Sequence, residues 1–197
     1  KRIKKLFPEA KLLLIIRNQI DAISSWYLSH GSGLKKVPRE YWRRFVNFND
    51  SINFLVDFQD FSFFNAFNYN KHYEIYSKLY GEENIIVIPF ELLELKPDIF
   101  FQDIYDFFEG SIQLKEIREA FKHNERKGRS SLDFVLHKIL KDFNLSKKIY
   151  NSLKFLDIFL PPINRKSLWN KKNKAKIFNA YSIGNTKLNL KIKYDLN

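Results

Sequence analysis

Phe7-Pro8-Glu9-Ala10-Lys11-Leu12-Leu13-Leu14-Ile15-Ile16-Arg17-Asn18 is the stretch that decides how this chain folds. Its apolar run barely alternates with polar residues, the pattern of a parallel strand buried on both faces, and predicts a strand over 10–17. The run stops at an arginine and an asparagine, and a helical pattern starts at once. Asn18 is placed to cap a helix over 19–30. On that helix Ile20, Ile23, Ser24, Tyr27 and Leu28 share the face expected to pack on the sheet, while Asp21 and Ser25 share another. Ser24 is thus the core-facing serine, and Ser25 is left to meet a ligand. A strand feeding a helix in this way carries a fixed positive charge and a hydroxyl toward the carboxyl edge of a sheet, where open α/β sheets bind phosphorylated ligands.

The same grammar continues outward. Residues 1–7 read as a basic helix closed by Pro8. The segment 38–68 is rich in aromatics, with Phe45/Phe48 and Phe54/Phe58 at helical spacing and a loop or lid over Asp57–Asn65. A helix over 69–80 stops at Gly81, and Asn84-Ile85-Ile86-Val87-Ile88-Pro89-Phe90 forms a second parallel strand. A helix over 97–109 ends at Gly110. Residues 111–131 are polar and basic and read as a surface loop. Helices near 132–143, 145–159 and 173–190 follow, interrupted by Pro161-Pro162. Strands joined by helices define an α/β class with crossover connections. No internal repeat marks a second domain, so residues 1–197 are expected to form a single domain.

Composition narrows the possibilities. Lys and Arg number 34 against 22 Asp and Glu, a net charge of +12 that favours polyanionic partners. The chain has no cysteine, which removes disulfides and thiolate metal sites and suits a reducing compartment, so a cytoplasmic location is expected. No apolar run reaches the roughly 18 residues of a membrane span. The basic start is followed by Phe-Pro-Glu and not by a signal-peptide core. Methionine is absent even at position 1, which leads to the expectation that the numbering starts inside a longer protein.

Three stretches together resemble the sulfotransferases that use 3′-phosphoadenosine 5′-phosphosulfate (PAPS), of the carbohydrate, heparan or bacterial type. The first is FPEAKLLLIIRNQIDAISSWY, similar to the family pattern FP-x-A-K-(apolar)-R-N-P-x-x-x-x-x-S-x-Y, with Gln19 in place of the proline. The second is Tyr73 to Leu93, which is similar to the helix, turn and strand that lead into Tyr-Glu-Asp-Leu; here Phe90 stands for the tyrosine and Leu92 for the aspartate. The third is Arg126-Lys127-Gly128-Arg129, which looks like the family's late cofactor loop. A weaker likeness covers Phe178 to Leu188, similar to a C-terminal helix of bacterial and carbohydrate members.

The resemblance implies a P-loop-NTPase-like three-layer fold, a parallel sheet flanked by helices, without its first strand and 5′-phosphosulfate loop. It implies PAPS as co-substrate, with Arg17, Ser25, Arg126, Lys127, Gly128 and Arg129 binding the cofactor. A guanidinium can fork onto phosphate oxygens, and a glycine between cations lets backbone approach a phosphate. The reaction implied is transfer of a sulfuryl group to a hydroxyl or amine of an acceptor, with a carbohydrate expected. The family's general base precedes the arginine, so no catalytic residue is assigned, and residues 1–197 alone are expected to be inactive. His30 is placed for a substrate contact and His123 in the basic loop, while His72 and His137 read as helix-surface residues. No spacing forms a metal site. The alternative is a non-enzymatic basic protein that binds nucleic acid or glycan, supported by the charge and by aromatics interleaved with Arg39, Arg43 and Arg44. Against it, the cations read as scattered and no nucleic-acid motif occurs, so nucleic acid is not an expected partner.

Overall fold

The computed structural model describes residues 2–29, 46–58, 64–122 and 163–194. In chain order they form α1 (Arg2–Leu6), β1 (Leu12–Ile16), α2 (Gln19–Ser29), α3 (Phe48–Asp57), α4 (Tyr69–Tyr80), β2 (Ile85–Pro89), α5 (Glu91–Leu95), α6 (Pro97–Phe107), α7 (Leu114–Lys122) and α8 (Lys171–Asn189). This is a helix-rich α/β chain with a small parallel sheet. The chain divides into two compact units, one of Lys1–Gln19, Phe61–Glu125 and Phe178–Asn197, the other of Ile20–Asp60 and Arg126–Ile177.

The first unit holds the sheet. β1 and β2 run parallel, with Leu12 opposite Ile85 and Ile16 opposite Pro89. Side chains alternate along a strand, so this register puts Leu12, Leu14, Ile16, Ile85 and Val87 on one face and Leu13, Ile86 and Ile88 on the other. The first face packs with Tyr73 of α4 and Leu188 of α8. The second packs with Phe100, Phe101 and Ile104 of α6 and Ile117 of α7. Ile88 and Phe100 are wholly buried, each stabilising the unit by about 1.5–3 kcal/mol.

The ends of these elements follow from single residues. The Asn68 side chain caps α4 by accepting from the Lys71 amide at 3.2 Å. Gly81 closes α4 at φ +91°, a backbone conformation that strains a residue with a β-carbon, and so turns the chain toward β2. Pro97 opens α6 at the position where its missing N–H costs nothing. Lys11, just ahead of β1, donates to the Phe107 carbonyl at the end of α6 and pairs with Glu109 at 2.5 Å, holding the Glu109 carboxyl below its ordinary range.

The second unit is built on aromatic edges. Tyr27 meets the Phe48 ring edge-on at 5.0 Å, and Phe48 meets Trp169 in the same way at 4.9 Å. The Trp169 indole donates to the Ser24 hydroxyl at 2.6 Å, which donates in turn to the Ile20 carbonyl at 2.7 Å. The Asn47 side chain caps α3 by accepting from the Asp50 amide.

Two expectations are corrected. β1 is not buried on both faces: Leu12, Leu13 and Leu14 are half-buried, and Ile15 keeps 39% of its surface. The cluster on its face takes in Leu13 but not Ile15, and β2 is its one strand neighbour among the described residues. The polar stretch read as a loop from 111 folds into α7 over Leu114–Lys122. Leu114, Ile117 and Phe121 form a narrow stripe at helical spacing that reaches the core, and the charges that made the stretch look like a loop are the helix's wet face. The short α5 had no forecast at all. The predicted helices 132–143 and 145–159 lie outside the described residues.

Candidate functional site

The exit of β1 is where the first unit gathers polar groups. Pairing of the strands sets the frame: the Phe90 amide donates to the Ile16 carbonyl at 2.7 Å, so the first residue after β2 sits beside the last residue of β1. The Arg17 guanidinium then lies over the Phe90 ring, 5.0 Å from its centre. A cation over a ring's face is attracted by the ring's quadrupole, and a guanidinium has five N–H donors, so some are left for an anion. The Arg17 Nε is buried without a hydrogen-bond partner, and among the described residues no carboxylate pairs with the side chain.

The next residues are tethered one by one. The Asn18 amide donates to the Glu91 carboxylate at 2.8 Å, which brings one negative charge to this corner and turns it onto the backbone. Gln19 is buried and forms a reciprocal amide pair with Asn185 of α8, donating at 3.0 Å and accepting at 2.8 Å, while also donating to the Phe67 carbonyl at 3.2 Å. Gln19 therefore does more than shape a turn in place of a proline: it anchors the exit of β1 to another helix. Tyr69 borders the same turn. Burial pushes its hydroxyl up to about 12; the Arg17 backbone amide works against this, and the charges of Glu91 and Tyr181 add to it. Tyr181 is buried, its hydroxyl unpartnered and raised by that burial to about 12.

Ser24 is buried in the second unit, where its hydroxyl accepts from Trp169, whereas the expectation had it facing the sheet; Ser25 is half-buried there. The Ser25 carbonyl accepts from the Ser29 hydroxyl at 2.8 Å. Arg126, Lys127, Gly128 and Arg129 lie outside the described residues, as do His30, His123 and His137. His72 is half-buried on α4, its Nε2 2.8 Å from the Asn65 carbonyl oxygen. Among the described residues no group of acidic or histidine side chains forms a metal site, and no helix is long and apolar enough to cross a membrane.

Sequence reasoning singled out Arg17 and Phe90 but assigned no part to Tyr69, Glu91, Tyr181 or Asn185. Glu91 had a signal, since it stands at the glutamate of the Tyr-Glu-Asp-Leu likeness. Asn185 had none, because its partner is 166 residues away.

A parallel strand pair with helices packed on both of its faces and a cation at the exit of β1 defines a helix-rich α/β protein. Residues 2–161 match the family model of the sulfotransferase domain, and the chain belongs to that sulfotransferase family. Sulfuryl transfer to an acceptor is the activity class this membership carries, and the match lends nothing to the non-enzymatic alternative. No curated protein and no solved structure matches the chain.

Proposed function

We propose that this protein transfers a sulfuryl group from PAPS to a hydroxyl or amine of a carbohydrate acceptor. The observation that carries the reading is the Arg17 guanidinium, lying over the Phe90 ring at the exit of β1 with a buried Nε that has no hydrogen-bond partner among the described residues. A group so placed suits a phosphate: the guanidinium is held over a ring, no carboxylate among the described residues pairs with it, and the nearby Glu91 is turned onto the Asn18 amide. Arg17 would hold the 3′-phosphate, Phe90 would offer its ring to the adenine side, and Ser25 with the 126–129 loop would complete the anion's shell.

PAPS supplies an activated sulfuryl group whose leaving group is a nucleotide phosphate. By analogy with phosphoryl transfer, the chain's contribution is positioning and stabilisation of charge, with a base taking the acceptor proton. Both compact units belong in this reading to one domain, residues 1–197. Its support is that the family match runs through residues of each. Apolar clusters on the two faces of the strand pair favour a three-layer, P-loop-like arrangement. Titration calorimetry with adenosine 3′,5′-bisphosphate tests the proposal. Arg17→Ala is expected to weaken binding by roughly 1.5–3 kcal/mol, as for a charged hydrogen bond; unchanged affinity removes Arg17 from the site.

A further inference from the structure

The second half of α8 belongs to the first unit and packs there along one stripe, Tyr181, Asn185 and Leu188, spaced four and three residues apart. Tyr181 is 3% exposed and Leu188 1%, while Ile183 between them keeps 71% of its surface. Leu188 belongs to the cluster that holds Ile16, the last residue of β1. Asn185 closes the reciprocal amide pair with Gln19. Gly184 brings the helix against the start of α4, where a β-carbon would stand 3.5 Å from that of Asn70. The helix thus engages the chain on both sides of Arg17: at Ile16 through a shared cluster, and at Gln19 through two hydrogen bonds. The remaining ties on this turn come from beside β2, where Phe90 holds the Ile16 carbonyl and Glu91 the Asn18 amide. A glutamine fixes no backbone angle by itself, unlike the proline of the pattern quoted above, so here a side-chain bridge to α8 holds the turn.

We propose that Gln19 and Asn185 are positioning residues for 3′-phosphate recognition, and that nucleotide binding at Arg17 and the seating of α8 are coupled. The inference rests on the reading of Arg17 as the 3′-phosphate ligand. It adds that a helix far along the chain sets that arginine without touching the nucleotide. A guanidinium grips a phosphate only over a narrow range of position, and a shift of about 1 Å at the turn is enough to spoil the fit. Coupling of this kind is reciprocal. Whatever loosens α8 weakens the hold on the 3′-phosphate, and a bound 3′-phosphate tightens α8.

The test compares the whole chain with Gln19→Ala, Asn185→Ala, the double variant of the two, and Ile117→Ala as a control. Calorimetry with adenosine 3′,5′-bisphosphate and with adenosine 5′-phosphate, well below every melting temperature, reads the preference for the bisphosphate. That preference is expected to fall on the order of fivefold in Gln19→Ala and in Asn185→Ala, and no further in the double variant. Ile117→Ala is a core truncation on α7 and costs more stability than either. It is expected to keep the parent's preference, whereas a loss that follows stability alone would fall on it hardest. Hydrogen exchange of the parent needs no substitution: the bisphosphate should slow the amides of 181–189, and the monophosphate should slow them less. A preference unchanged in both amide variants, a loss as large in Ile117→Ala, or exchange in α8 that the bound bisphosphate leaves unaltered overturns the coupling while the cofactor reading stands. A parent chain that fails to bind the bisphosphate refutes the cofactor reading itself, and this inference with it.

Discussion

At the scale of single residues, the turn after β1 joins groups whose ionisation is set by burial. Tyr69 and Tyr181 are both raised from 10.0 to about 12, with burial as the main cause. A group whose folded value lies above its unfolded value binds its proton more tightly in the folded state. The stability this gives is fully present below pH 10 and is lost as pH rises through about 12. Denaturant melts are therefore expected to hold steady up to about pH 10 and to fall steeply beyond it. Tyr69→Phe with Tyr181→Phe should remove part of that fall; an alkaline slope identical to the parent's would show that neither hydroxyl is buried as described. Arg17 was legible from the sequence because a cation ending an apolar strand is a local signal. That Phe90 lies beneath it was not legible, since the contact depends on the register of β1 against β2.

Among the elements, those with a dominant local pattern were readable. β1, α2, α4, β2, α6 and α8 each follow from an apolar run or a helical stripe with a punctuating Asn, Gly or Pro. α7 was missed because three large apolar residues in nine are outweighed by charges when read in order, although on a helix they form one stripe. Ile117→Ala is expected to cost about 2–4 kcal/mol, as for a core truncation, while Glu119→Ala on the wet face stays within about 0.5 kcal/mol. Equal small effects in urea melts would return 114–122 to the status of a loop. The tie between α8 and the exit of β1 was beyond any local reading. Gln19→Ala or Asn185→Ala should each cost about 1–2 kcal/mol, since either leaves the partner's amide with hydrogen-bonding groups unmet away from open solvent. The double substitution should cost little more than one alone. Additive losses would mean that the two amides do not act as a pair.

For the molecule as a whole, self-repulsion is the expected consequence of +12 with residues 163–194 lacking any acid. Raising ionic strength from about 0.01 to about 0.15 M shortens the screening length from roughly 30 to 8 Å, so the melting temperature should rise over that range; a fall would mean that attractive pairs such as Lys11–Glu109 dominate. Membership of the sulfotransferase family was readable because its motifs follow one another along the chain, and the family match runs from residue 2 to 161. Acceptor choice was not readable, because it depends on which distant side chains share a surface. The central claim is that Arg17 recognises a 3′-phosphate. Its most direct test is calorimetry of adenosine 3′,5′-bisphosphate against adenosine 5′-phosphate, on the parent chain and on Arg17→Ala. The parent should prefer the bisphosphate by at least about tenfold, or 1.4 kcal/mol, and Arg17→Ala should bind the two alike. A preference that survives the loss of Arg17 would contradict the account.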